Sequence, residues 1–293
     1  MQLLMLRIAS VLIIAFVYMM FDIFNRRNVP SAFAYATLGY GLLLTFLYFS
    51  IFEIAISVAI ALVVLGFGYI IYKIGQIGAA DIIELAALSL MLPLQQIPIL
   101  FGSTYQFSIP FIASVVIAAG IAALIIVPFY YLPRAKSMLK KPLSSFIDRK
   151  CAFRAALIAV PYMAFILFLA AWTDIGIAGI AILFVVMVCS SVISLFERPI
   201  TDSMVEFIKI NKCDEGDIIA FNLMKKSEIS AIRHRVKGFD RLLTRKLLAQ
   251  MKAARIKETL PVYRKALPFA VPIFIGVIFS ILLGNVLLAI LPL

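Results

Sequence analysis

The sequence predicts an all-α protein: a polytopic transmembrane helical bundle of about eight helices, with a small cytosolic module before the last helix. Three observations predict it. Hydrophobic residues make up 64% of the 293-residue chain, charged residues only 14%, and the mean hydropathy is +1.08, whereas a soluble domain is about half apolar and a quarter charged. Apolar runs long enough for a bilayer core of about 30 Å recur from end to end. The basic residues crowd into one set of the intervening loops, the asymmetry that orients membrane proteins.

Cutting at charges, prolines and polar clusters gives spans near 3–21, 32–50, 54–72, 81–100, 108–131, 155–172, 176–196 and 266–291. The first contains only Arg7, lacks a basic leader region and has no small-residue cleavage pattern before Asp22, so it is expected to persist as a helix. Pro93 and Pro98 are expected to kink or end the fourth span, and Pro268 and Pro272 to do the same to the last. The spans divide the chain into a transmembrane domain (1–197), a cytosolic module (198–264) and a C-terminal transmembrane helix (265–293).

Of the 27 Lys and Arg residues, all but Arg7 fall on one side: Arg26 and Arg27, Lys73, the 134–154 loop, and everything basic from Arg198 to Lys265. That side is expected to be cytoplasmic, with both termini outside. The opposite loops, around Glu53, Phe101–Phe107 and Thr173–Gly176, are short and nearly uncharged. The formal charge of +12 is thus accounted for by membrane topology and contact with anionic lipid, and nucleic acid is not an expected partner. Within the module, Leu243, Leu247 and Met251 recur at helical spacing among Arg245, Lys246, Lys252, Arg255 and Lys257, predicting a basic amphipathic helix over Arg241–Glu258. Its apolar stripe suits either the inner leaflet or the module's own core. Three widely separated cysteines, Cys151, Cys189 and Cys213, form neither a disulfide framework nor a zinc pattern.

Carboxylates inside apolar spans are costly, about 2.5–3.5 kcal/mol each on insertion scales, and therefore mark functional positions. Asp22 closes the first span and Asp81 opens the fourth; the topology puts both at the cytoplasmic end. Two aspartates at one depth on different helices are what aspartyl protease chemistry requires: one takes a proton from water while the other protonates the scissile carbonyl, and the pair shares one proton. Each aspartate alone has a plainer reading, Asp22 as a helix end and Asp81 as a helix cap. The small residues Gly78, Ala79 and Ala80 before Asp81 favour close approach of a peptide backbone. Glu84, one turn beyond Asp81, is placed to tune the pair, to contact substrate or, less favoured for its greater depth, to replace Asp81.

At these positions the chain resembles the archaeal type IV prepilin and preflagellin peptidases, members of the GxGD group of membrane aspartyl proteases. The resemblance rests on Asp22-Ile23-Phe24-Asn25-Arg26-Arg27-Asn28-Val29-Pro30, on Gly78-Ala79-Ala80-Asp81, and on the tail from Leu267-Pro268-Phe269-Ala270 to Gly284-Asn285. Ala80 stands where the motif has its second Gly, and eight spans exceed the six of preflagellin peptidases, which makes 134–196 the addition and favours a prepilin-type member. The resemblance implies removal of a short basic leader from prepilin or prearchaellin precursors at the cytoplasmic membrane face, with Asp22 and Asp81 catalytic. It implies no cofactor, no metal and no methyltransferase activity.

Two further features are ambiguous by sequence. The acidic cluster Asp214, Glu215 and Asp217 either guides a basic leader or forms a solvated turn around Gly216. His234, the single histidine, sits among basic residues with no second metal ligand and reads as a surface side chain. From another functional class, a proton- or cation-coupled small-solute transporter would also place carboxylates in membrane helices, although such sites favour the midplane and internal repeats.

Overall fold

The computed structural model of the protein describes residues 2–25, 29–48, 50–74, 77–94, 110–139, 145, 147–173, 175–236, 238–254, 256, 259–264 and 267–284. The Arg26–Arg27 pair, Pro98, the 101–107 loop, Lys265 and everything after Gly284 lie outside the described residues. In chain order the elements are α1 (Gln2–Phe24), α2 (Ser31–Tyr48), α3 (Ile51–Ile74), α4 (Ala79–Met91), α5 (Phe111–Leu139), α6 (Arg149–Trp172), α7 (Ile177–Leu195), α8 (Glu197–Met204), β1 (Glu206–Lys209), α9 (Lys226–Arg235), α10 (Arg245–Ala253), β2 (Thr259–Val262) and α11 (Ala270–Leu283). The class is all-α. Among the described residues, five helices are long and apolar enough to cross a membrane: α1, α3, α5, α6 and α7. The apolar helices α2 and α11 are shorter. Large apolar side chains such as Leu43, Phe67, Leu157 and Phe168 face outward, as they do on a surface covered by lipid.

Helix α4 is the hub, packing against α1, α2 and α3, while α11 bridges α5 and α1. Their shared core contains Val11, Ala15, Leu44, Ala87, Leu88, Met91, Val115, Ile273 and Val277. Small residues set the close crossings. Gly68 leaves room for the Ile82 side chain, and a Cβ on Gly276 would come within 2.6 Å of the Val115 carbonyl oxygen and 2.7 Å of the Ala119 nitrogen. The fourth span was expected to reach residue 100, yet its helix ends at Met91, because Pro93 cannot continue the ladder. The carbonyls exposed by that ending are taken up from neighbouring helices: Arg7 Nε donates to the Met91 oxygen at 2.7 Å and the Thr45 hydroxyl to the Leu90 oxygen at 2.8 Å. Arg7, the exception to the charge asymmetry, thus caps the end of α4 remote from Asp81.

Helices α6 and α7 form a pair with a small core of Ile166, Ile175, Leu183 and Met187, and α7 packs on α5. Arg154 and Glu197 pair at 2.6 Å, joining the start of α6 to the chain just after α7. Helix α5 contains Pro128 and continues past its expected end at residue 131 through Pro133 to Leu139; Tyr131 and Ala135 are fully buried, and α5 packs on α8.

Residues 206–262 enclose a separate core that includes Ile208, Ile219, Ile232, Leu243, Leu247, Met251 and Leu260. The antiparallel pair β1–β2, in register Glu206↔Val262 to Lys209↔Thr259, was not anticipated; two four-residue strands carry too little alternation to read. The amphipathic helix is also shorter than expected. Thr244 caps α10 by accepting from the Leu247 N–H at 3.3 Å, and Leu243 before the cap packs in the same core as Leu248, a staple that fixes the helix start. Its stripe of Leu247, Leu248 and Met251 is buried in this core, so α10 packs on its own module. The acidic cluster forms a turn, with Gly216 at φ +92°. Arg264 holds it together, binding Asp214 at 2.6 Å and Asp217 at 2.9 Å, while Arg245 reaches Glu215 at 3.0 Å. His234 is exposed.

Two predictions follow from this packing. Gly276→Ala drives a methyl into the α5 backbone and should cost about 1–3 kcal/mol, seen as a lower melting temperature in detergent; Gly120→Ala, which meets open space, should leave it unchanged or slightly higher. Burial pushes the Cys213 thiol up to about 11, so at pH 8 it has less thiolate than a free cysteine and should resist maleimide until denaturant is added, as mass spectrometry of the labelled protein would show.

Candidate functional site

One end of the bundle gathers the C-terminal turn of α1 and the N-termini of α4 and α11. Asp22 is only 6% exposed, and its Oδ2 accepts a hydrogen bond at 3.1 Å from the backbone N–H of Ala270, the first residue of α11. A carboxylate at a helix N-terminus satisfies an orphan amide and meets the positive end of the helix dipole. Asp22 therefore ends its own helix and caps another across the fold.

Asp81 stands in the first turn of α4, where its Oδ2 accepts from the Gly78 N–H at 3.1 Å. This is the return half of a capping box, closed by the carboxylate alone because glycine offers no side chain. A Cβ at Gly78 would sit 2.9 Å from Asp81 Oδ2, so any larger residue would require that carboxylate to shift. Gly78 and Ala79 are exposed and Ala80 is half-buried, so this approach to Asp81 is lined by small side chains.

Glu84 is completely buried. Neither of its oxygens has a hydrogen-bond partner among the described residues, yet the carboxyl feels the charges of both Asp81 and Asp22. The structure thus brings the three sequence-predicted carboxyls into one electrostatic neighbourhood. It adds Tyr18, also fully buried, whose hydroxyl shares a hydrogen bond with the Thr37 hydroxyl at 2.8 Å and which senses Glu84 and Asp81. Tyr18 and Thr37 were missed by sequence reasoning. The available signal was spacing, since Tyr18 lies one turn before Asp22 on the same face of α1. The rings of Phe33 and Tyr18, 5.2 Å apart, and of Phe33 and Phe21, also 5.2 Å apart, wall this side of the cluster.

Among the described residues, no group of three or more His, Cys, Asp or Glu side chains is arranged to hold a metal ion. The acidic turn at 214–217 is engaged by Arg264 and Arg245, with Asp214 and Glu215 still exposed. Comparison with protein-family models, characterised proteins and solved structures found no match.

The capping role makes a prediction. Asp22→Ala removes the acceptor for the Ala270 amide and should destabilise the bundle by about 1 kcal/mol, whereas Asp22→Asn keeps an acceptor oxygen and should lose less. Thermal melts of the two purified variants against wild type check this.

Proposed function

We propose that the chain is a membrane-embedded aspartyl endopeptidase working through Asp22 and Asp81. More particularly, the resemblance of its aspartate segments assigns it to the archaeal prepilin and preflagellin peptidase type. It removes the short basic leader from pilin- or archaellin-like precursors at the cytoplasmic face. The observation that supports this reading is that Asp22, buried at the end of α1, and Asp81, in the first turn of α4 beside the small residues 78–80, lie at the same end of two packed helices. In the reaction one carboxylate takes the proton of the attacking water and the other protonates the carbonyl oxygen, a single proton passing between them. The peptide bond breaks to a new carboxyl and a new amine, and no cofactor is consumed.

Eight membrane segments fit this reading: α1–α7 and α11. The docking of the α6–α7 pair on α5, away from the aspartates, supports the 134–196 region as an addition to a six-helix catalytic core. The module around β1, β2, α9 and α10 is then cytosolic, and both termini lie outside. One observation favours a second reading: a buried carboxyl such as Glu84 is also what a proton-coupled solute transporter would use.

The test mixes membranes carrying wild type, Asp22→Asn or Asp81→Asn with a prepilin and a prearchaellin and identifies the products by mass spectrometry. Wild type should release the leader, and each variant, with expression and insertion intact, should lose activity about 100-fold or more. If wild type cuts neither precursor, or either variant keeps full activity, the peptidase reading fails and uptake into proteoliposomes becomes the assay.

A further inference from the structure

Residues 206–264 carry 14 Lys and Arg against 7 Asp and Glu, and most of the acidic groups are engaged within the module. Arg264 holds Asp214 and Asp217, Arg245 holds Glu215, and the Lys225 and Arg241 amides donate to Glu228 and Asp240. Lys209, Lys212, Lys246 and Lys252 are exposed, and among the described residues none of them forms an ion pair. The module also shows one large apolar side chain to its surroundings. Phe207 is 63% exposed, whereas every other large apolar residue described between 206 and 264 is buried or half-buried.

The place of that ring is set by the strand. Side chains alternate along β1, and Ile208 enters the module core, so Phe207 and Lys209 point away from it together while Glu206 takes the other face. Lys212 follows on the turn Ile210–Lys212, against which α10 packs. The Glu206↔Val262 rung is the one nearest the bundle along both strands: Met204, the end of α8, lies two residues before it, and Ala270, the start of α11, eight residues after it. Helix α8 in turn packs on α5. The exposed ring therefore sits one rung from where the module joins the apolar helices.

We propose that the outer face of β1 is a membrane-docking surface: the Phe207 ring enters the headgroup region of the bilayer that holds the bundle, and Lys209 and Lys212 bind the phosphates of anionic lipid beside it. Aromatic rings favour that interface, and lysines are drawn to the negative surface potential of an anionic leaflet. One ring and two ammonium groups would hold a free protein only weakly. Here the bundle already fixes the module at both of its ends, so docking is intramolecular and the headgroups are the anions held at high local concentration. A soluble polyanion has no such advantage. Docking gives the module a third attachment, beside α8 and the chain to α11. The inference rests on embedding of the apolar helices in a membrane and is independent of the peptidase reading.

The test uses the full-length protein, whose single tryptophan is Trp172. In a Trp172→Phe, Phe207→Trp double variant all indole emission reports position 207. The variant is reconstituted in phosphatidylcholine brominated high on the acyl chains, with or without about one-third phosphatidylglycerol. In the anionic vesicles its emission should be quenched about two-fold or more, and either omitting phosphatidylglycerol or adding Lys209→Glu and Lys212→Glu should remove most of that loss at an unchanged melting temperature. Emission that stays unquenched in anionic vesicles overturns the proposal, as does equal quenching with and without phosphatidylglycerol. Shielding of the indole from acrylamide by polyaspartate or RNA, while anionic vesicles leave it unquenched, assigns the surface to a soluble polyanion and overturns it too. A second readout needs no substitution: in wild type, Lys209 and Lys212 should react with an amine-reactive ester about three-fold more slowly in anionic than in neutral vesicles, and equal labelling by mass spectrometry overturns the docking.

Discussion

The hydrogen bond between Asp22 and the Ala270 amide is the constraint on which the rest of the bundle depends. In a low-dielectric interior, helix ends must find partners for the amides and carbonyls that the ladder leaves over. The bundle meets that demand with side chains from distant segments. Asp22 on the first helix takes the start of the last one, Arg7 on the first helix takes the end of α4, and Thr45 on α2 takes the carbonyl beside it. These bonds set α1 antiparallel to α4, with Arg7 against Met91 at one end and Asp22 near Asp81 at the other. Asp22 and Asp81 come to the same end of the bundle because the helix ends are satisfied this way.

On the proposed reading, structural and chemical duties fall on the same side chains. The plain reading of Asp81 as a cap is correct as geometry, and Asp22 caps as well, though on another helix. Neither role competes with hydrolysis. Each described capping bond uses Oδ2 of its aspartate, and a carboxyl has two oxygens with several acceptor sites between them. Because asparagine retains an acceptor, neutral substitution separates the two duties, while alanine removes both.

Much of the plan could be read from the sequence because lipid imposes coarse rules. Uninterrupted apolar runs located α1, α2, α3, α6 and α7 to within a few residues, and the Lys and Arg asymmetry brought Asp22 and Asp81 to one end before any contact was known. What could not be read depended on tertiary partners. Helix α4 stops at Met91 because Pro93 coincides with donors from Arg7 and Thr45, and α5 runs past residue 131 through Pro133 to Leu139, with Tyr131 and Ala135 buried. Tyr18 and Thr37 look like ordinary membrane-helix residues until their hydroxyls meet. The short strands β1 and β2 are specified by each other across half a hundred residues of intervening chain, a pairing that local pattern cannot announce.

The position of the 206–262 module follows from the same geometry. Arg264 is anchored to Asp214 and Asp217 on the module, and six residues later Ala270 is bonded to Asp22. A chain of that length reaches at most about 20 Å even when fully extended. The acidic turn is therefore tethered to the Asp22 end of the bundle, and the module cannot swing away without breaking either the Arg264 ion pairs or the cap on α11.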